Sequence, residues 1–147
     1  MLSRIGFLVR DLGASELTWR LLRLAHARRD IDVTFFCEDR ATPCLPPTGA
    51  VLPLANAWSF TGPVVATTMA TARSLIHMPG PVRKALYVWD LEWLRLVDRP
   101  HRVLLDVYSS AALEIVARSE FHLPLLRNLW GRSATLNPRA DLEKFFP

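Results

Sequence analysis

Runs of apolar residues of strand length alternate along this chain with segments whose apolar positions recur at helical spacing. The apolar runs predict seven strands, at residues 5–9, 33–36, 50–52, 63–67, 85–88, 113–117 and 134–136. Helical spacing predicts helices from residue 15 to about residue 30, at 70–76 and at 121–130. The runs at 5–9 and 64–66 are too apolar for a strand with one face in water. The pattern therefore predicts an α/β fold, a single Rossmann-like domain with a mostly parallel sheet of six to seven strands and helices on both faces.

Composition is that of an ordinary globular domain. The chain has 147 residues, of which half are hydrophobic and 22% are charged. No apolar run reaches the roughly 18 residues that a membrane span needs, and residues 1–6 show no signal-peptide pattern. We therefore expect a cytoplasmic protein without a transmembrane segment. Cys37 and Cys44 match neither a zinc spacing nor a CxxC redox spacing, so we interpret them as buried or loop thiols.

The formal net charge is +4, and all but two of the eighteen basic residues are arginine. Arginine favours bidentate contact with carboxylates and phosphates, although it also accumulates in proteins of GC-rich genomes without a functional cause. No run of consecutive basic residues is longer than two, as at Arg28-Arg29, so we expect no specific nucleic-acid binding. An anionic partner such as a phospholipid surface, an acidic glycan or a nucleotide phosphate is compatible with the charge.

Polar side chains follow several of the predicted strands. In an open α/β sheet, ligands bind outside the carboxyl ends of the strands. The residues that this rule places on the functional rim are Asp11, Gly13, Ser15, Thr68, Asp90, Glu92, Ser119 and Glu120. Ser15 and Ser119 also suit helix N-caps, and Asp90 and Glu92 equally suit the start of a helix near Leu91.

The aromatic residues and histidines of the chain are open to two interpretations. Trp89 and Trp93 flank the two carboxylates, where they suit either sugar stacking or core packing. The four histidines are scattered and form neither a metal pair nor a nucleophile–base arrangement. His122 could face the cleft, but we expect it to be an exposed histidine at a helix start.

Four motifs, in order along the chain, resemble those of a known enzyme family. They are T-T-M-A-T-A at 67–72, Y-V-W-D-L-E at 87–92, A-R-S-E-F at 117–121 and T-L-N-P-R-A-D-L-E-K-F-F-P at 135–147. Their order and spacing resemble the N-terminal, acceptor-side domain of GT-B glycosyltransferases of family 4, in particular rhamnosyltransferase-like members. In that family the last motif leads into a donor-binding domain, and we expect that domain to be absent here.

The resemblance implies an acceptor half that spans residues 1–147 and needs a separate donor-binding subunit, with a glycan or nucleotide sugar as ligand. It implies catalytic roles for Asp90 and Glu92, and no metal or other cofactor. It implies acceptor or sugar contacts for Gly13, Ser15, Thr68, Trp89, Ser119 and Glu120. A chain of this kind is expected to be inactive alone.

The sequence departs from the family in two turns. The turn after the first strand has one glycine, Gly13, where members carry a glycine-rich turn that approaches the donor diphosphate. Residues 138–140, P-R-A, replace a glycine-containing turn. The alternative is a catalytically silent remnant that serves as a carbohydrate-binding or structural module. A small nucleotide-binding Rossmann domain is disfavoured because no G-x-G-x-x-G follows the first strand.

The C-terminal segment predicts an interface. Phe145 and Phe146, together with Trp58, Trp89 and Trp93, would lack cover without a second domain. Monomeric proteins rarely expose a large contiguous apolar patch. We therefore expect a partner on this face, either a second copy of the chain or another subunit.

Overall fold

The computed structural model describes residues 3–95 and 101–146. Residues 1–2 and 96–100 lie outside the described residues, as does Pro147, the last residue of the C-terminal motif. The strands are β1 (Ser3–Val9), β2 (Ile31–Cys37), β3 (Val51–Pro53), β4 (Val64–Ala66), β5 (Lys84–Val88), β6 (Glu114–Ala117) and β7 (Thr135–Leu136). The α-helices are α1 (Glu16–Ala27), α2 (Met69–His77), α3 (His101–Tyr108) and α4 (His122–Trp130), and short 3-10 helices span Leu54–Ser59, Glu92–Arg95 and Leu142–Phe145.

All seven strands form one parallel sheet in the order β3-β2-β1-β4-β5-β6-β7. Phe7 of β1 lies opposite Phe35 of β2 on one side and opposite Val65 of β4 on the other. The chain builds outward from β1 in one direction and then resumes at β4 in the other, so the order reverses between these two strands. The predicted Rossmann-like α/β class is confirmed.

The two faces of the sheet bury separate apolar clusters, because successive residues of a strand point to opposite faces. Phe7 belongs to the cluster that includes residues of α1 and of the C-terminal 3-10 helix, whereas the adjacent Leu8 belongs to the cluster on the other face, which includes residues of α2, α3 and α4. Both faces of β1 and β4 are therefore covered, which explains why these strands read as nearly continuous apolar runs.

The predicted strands agree with the observed ones to within about a residue at most ends. Helix α3 was not predicted, since no element was assigned between residues 94 and 112. Its buried residues Leu104, Val107 and Tyr108 do recur at helical spacing. The segment is short, and its apolar pattern is interrupted by Asp106.

The C-terminal segment folds back onto its own domain. Asn137 is fully buried: its backbone N–H donates to Ala117 O at 2.8 Å, and its side chain exchanges hydrogen bonds with the backbone of Asp141. Tyr87 Oη donates to Asn137 O at 2.6 Å, and burial raises the pKa of this phenol to about 12. These contacts direct Phe145 toward the sheet.

The expectation that Phe145 and its neighbours lack cover is wrong. Phe145 is 1% exposed and makes edge contacts with Phe7 and Tyr87 at ring-centroid distances of 5.8 and 5.5 Å. Phe146 is half-buried, and its carbonyl accepts a hydrogen bond from Arg83. Trp89 is buried, and Trp93 packs edge-on against Tyr108 and Trp130. The apolar patch that motivated a partner on this face is largely absent among these residues, although Trp58 is exposed.

The turn that leads into this segment uses an alanine in a conformation that favours glycine. Ala140 has a φ of 60° and is fully buried. A residue with a Cβ atom pays about 1–2 kcal/mol in this left-handed region. The backbone of this turn therefore follows a path that a glycine would favour.

Candidate functional site

The strand order reverses between β1 and β4, so the carboxyl ends of these two strands lie at the point of reversal. In doubly wound sheets this position is where ligands bind. Three turns border it or lie beside it: residues 10–15 after β1, residues 67–68 after β4 and residues 89–91 after β5. We refer to this edge as the rim.

The turn after β1 satisfies its own hydrogen bonds. Asp11 Oδ1 accepts from the backbone N–H of Gly13 at 2.7 Å, and Ser15 Oγ accepts from the N–H of Thr18 at 3.1 Å. Ser15 is thus the N-cap of α1, as the simpler sequence interpretation predicts. The N–H of Gly13, which would have to face a phosphate in a nucleotide-binding turn, already faces a carboxylate.

The N-terminus of α2 is capped by residues from two parts of the chain. Thr68 Oγ1 accepts from Thr71 N at 3.1 Å, and Thr71 Oγ1 accepts from Thr68 N at 3.0 Å, which is a reciprocal capping box. Glu92 Oε2 accepts from Met69 N at 2.7 Å. A negative charge at a helix N-terminus is stabilised by the helix dipole. The helix start that the sequence predicts near Leu91 is present as the 3-10 helix Glu92–Arg95, but the Glu92 carboxylate caps α2.

Asp90 lies beside Glu92 and is more open. Its carboxylate is 3.4 Å from Arg95 Nη2, and both side chains of this pair are substantially exposed. Asp90 and Glu92 border a cavity of about 10 Å³, which has room for no more than about one water. Thr68 and Tyr108 line the same cavity. Burial and then the charge of Glu92 raise the pKa of the Tyr108 phenol above its ordinary value. A ligand at these carboxylates would have to bind on the rim rather than in a deep cavity.

Trp89 stands between two arginines. The guanidinium carbon of Arg118 is 4.3 Å from the Trp89 ring centroid, and that of Arg20 is 5.2 Å away. Trp89 is 8% exposed, so little of its ring is open for a sugar to stack on. Arg118, which sequence reasoning did not single out, brings a positive charge to the rim at the end of β6.

The expectation that His122 is exposed is wrong. It is 8% exposed, and its Nδ1 atom has no hydrogen-bond partner among the described residues. Burial lowers the pKa of His122, and the nearby Arg118 lowers it further, whereas the Val88 backbone and Asp90 raise it. The helical spacing of His122 and the buried Leu126 is the sequence signal that could have indicated an inward position.

Ser119 and Glu120 lie apart from the two carboxylates. Ser119 Oγ accepts from the N–H of Phe121 at 3.2 Å, a local contact at the start of α4. Glu120 is exposed and lines an open groove of about 470 Å³ beside α4 and β7, together with Arg127 and Leu136. The structure therefore brings Thr68, Asp90 and Glu92 together, with Trp89 adjacent in the chain, while Gly13 and Ser15 belong to the turn after β1 and Glu120 to the groove.

Within residues 3–95 and 101–146, no group of three or more His, Cys, Asp or Glu side chains is placed to hold a metal ion. In the same part of the chain, no helix has both the length and the apolar character to cross a membrane. Comparison with family models, curated proteins and solved structures found no match to this chain.

Proposed function

We propose that this domain is the acceptor-side half of a GT-B-like glycosyltransferase, which positions a hydroxyl-bearing acceptor at the rim. A separate donor-binding domain or subunit would supply the nucleotide sugar. The observation that carries the proposal is the meeting of Thr68, Asp90 and Glu92 at the carboxyl ends of β4 and β5. These residues belong to two of the motifs that resemble the family, T-T-M-A-T-A and Y-V-W-D-L-E.

The turn after β1 supports the proposal that a separate unit binds the nucleotide sugar. Because Asp11 occupies the N–H of Gly13, this turn presents a carboxylate where a donor diphosphate would need backbone donors. The donor phosphates would meet charge repulsion here. A second unit that binds them is therefore part of the proposal.

Asp90 and Glu92 have different roles in this proposal. Glu92 uses one oxygen to cap α2, so it holds the turn after β5 against the turn after β4. Asp90 is held only by a loose surface pair with Arg95, and such pairs contribute about 0–1 kcal/mol. Asp90 is thus the carboxylate that accepts the proton of the acceptor hydroxyl, while Glu92 fixes the position of the turn that carries Asp90.

A second candidate is a catalytically silent module that binds carbohydrate or another partner. The small volume beside Asp90 and the capping contact of Glu92 favour it, since a purely structural carboxylate would make the same contact. The two candidates differ in whether the Asp90 carboxylate matters to a bound sugar.

Amide chemical-shift mapping with methyl α-rhamnoside and methyl glucoside tests the proposal. We expect shifts that centre on Thr68 and Asp90, and an affinity that Asp90→Asn reduces about tenfold, as loss of a charged hydrogen bond would. Asp106→Asn, at an exposed carboxylate of α3, is the matched control and should leave binding unchanged. Shifts confined to other surfaces, or no shifts with either glycoside, would contradict the proposal.

A further inference from the structure

A ligand-sized cavity lies at the other end of the rim, beyond the residues discussed so far. Its volume is about 530 Å³, within the usual range of small-molecule sites. It opens at the carboxyl ends of β1, β2 and β3, under the loop that connects β2 to β3. We call it the β2–β3 pocket. Its lining residues are Leu12, Cys37, Glu38, Asp39, Arg40, Ala41, Pro43, Pro47, Val51, Leu52 and Pro53.

The walls of this pocket are apolar and well anchored. Cys44 N donates to Leu12 O at 2.9 Å, Asp39 N donates to Arg10 O at 2.8 Å, and His26 Nε2 contacts Pro46 O at 2.6 Å. Further along the same loop, a Cβ atom at Gly49 would lie 1.7 Å from Val33 O, so the loop packs directly on β2. Three prolines in the lining restrict the backbone as well. Because such a pocket is formed before binding, the protein loses little conformational entropy when a ligand enters.

The polar rim of the pocket is mainly acidic. Glu38 and Asp39 follow β2 directly, and Arg40 comes next. The Asp39–Arg10 pair is loose, at 3.4 Å between exposed side chains, so the Asp39 carboxylate retains acceptor capacity. Asp11 adds a further negative charge near the pocket. Burial raises the pKa of the Cys37 thiol, which lines the pocket, and the charge of Asp11 raises it further. Carboxylates accept hydrogen bonds from hydroxyls and repel phosphates.

The position of these carboxylates narrows the class of ligand. In doubly wound sheets that bind dinucleotides, the acidic residue after the second strand meets the ribose hydroxyls, and the turn after the first strand meets the diphosphate. Here the first feature is present in Glu38 and Asp39. The second is replaced by the contact of Asp11 with Gly13.

We propose that the β2–β3 pocket binds a nucleoside without phosphate, its flat base between the loop prolines Pro43 and Pro47 and the apolar residues of β3 and its ribose diol on the carboxylates after β2. This site is separate from the acceptor contacts proposed at Asp90, and it does not rest on that proposal. The missing glycine fingerprint, which disfavours a nucleotide, is consistent with a ligand that lacks the diphosphate.

Titration of the full chain with adenosine, followed by amide chemical shifts, tests the inference. Adenosine should shift Leu12, Ala41 and Leu52. AMP and 2′,3′-dideoxyadenosine should each bind about tenfold or more weakly, because the first meets the carboxylates and the second loses the diol. The aryl glycoside 4-nitrophenyl glucoside should bind more weakly than adenosine.

Leu52→Lys should abolish the adenosine shifts. Leu125→Lys on α4 is the matched control, since the two leucines are 37% and 38% exposed, and it should bind adenosine normally. Asp39→Asn should fold like the parent chain and narrow the preference for adenosine over AMP. The inference is overturned by the absence of adenosine shifts, by equal binding of AMP or the aryl glucoside, or by Leu52→Lys behaving like its control.

Discussion

The carboxylate of Glu92 accepts a hydrogen bond from the backbone N–H of Met69 at 2.7 Å, across 23 positions of sequence. Glu92 follows β5, and Met69 is the first residue of the helix that follows β4. One side chain thus joins two turns of the rim and places a negative charge at the N-terminus of α2. The rim of this domain is therefore organised by its own carboxylates, at Glu92 as well as at Asp11.

The capping contact predicts a stability cost for loss of the Glu92 side chain. Glu92→Ala removes a hydrogen bond to a charged group and a favourable helix-dipole interaction, so the free energy of unfolding should fall by about 1–2 kcal/mol. Glu92→Gln keeps an acceptor and should cost less. Urea unfolding measures both. Asp106→Ala, at an exposed carboxylate in the second half of α3, should not lower the free energy of unfolding. Equal losses at positions 92 and 106 would show that the cap contributes nothing.

The folded-back C-terminal segment predicts a large difference between two phenylalanines. Phe145 is 1% exposed and Phe121 is 84% exposed. Phe145→Ala should lower the free energy of unfolding by about 3–5 kcal/mol, as truncation of a buried aromatic does, whereas Phe121→Ala should change it by less than about 0.5 kcal/mol. Thermal or urea unfolding of the two variants checks this. A small effect at Phe145 would mean that the segment does not pack on the sheet in solution.

The buried His122 predicts a pH dependence of stability. Since burial lowers its pKa, the folded chain binds the His122 proton less readily than the unfolded chain, in which the pKa is about 6.5. The contribution of this residue to stability is complete above that value and is lost as pH falls below it. The free energy of unfolding should therefore drop between pH 7.5 and pH 5.5.

The comparison of two histidine variants isolates that effect. His122→Gln should reduce the difference in unfolding free energy between pH 7.5 and pH 5.5, whatever its stability at either pH. His77→Gln, at an exposed histidine at the end of α2, should keep the difference of the parent chain. If both variants retain the full difference, His122 is not the group that titrates.

Strand positions and fold class could be predicted from the sequence because they depend on local patterns. The buried strands β1, β2, β5 and β6 are apolar along most of their length, and Ser15 sits three residues before the Thr18 N–H that it caps. These signals lie within a few residues of one another. Helix α3 could not be predicted from the sequence because its apolar stripe is confined to two turns.

The site could be predicted only in part, because its contacts join distant segments. Nothing near Glu92 in the sequence indicates Met69, and nothing near Phe145 indicates Phe7. The carboxyl-end rule predicts Asp90, Glu92 and Thr68 on one rim, and the three residues do line one small cavity. Whether each of these side chains already has a hydrogen-bond partner depends on tertiary packing, which the sequence pattern does not indicate.

We propose that this domain leaves the binding of the donor diphosphate to another unit, and calorimetric titration with UDP-glucose and dTDP-rhamnose tests this most directly. Because Asp11 occupies the N–H of Gly13, we predict a dissociation constant weaker than about 1 mM for both. Asp11→Gly frees that N–H and should strengthen binding of the diphosphate of both nucleotide sugars. Micromolar binding of either nucleotide sugar by the parent chain, weakened by substitutions in the turn after β1, would contradict the claim.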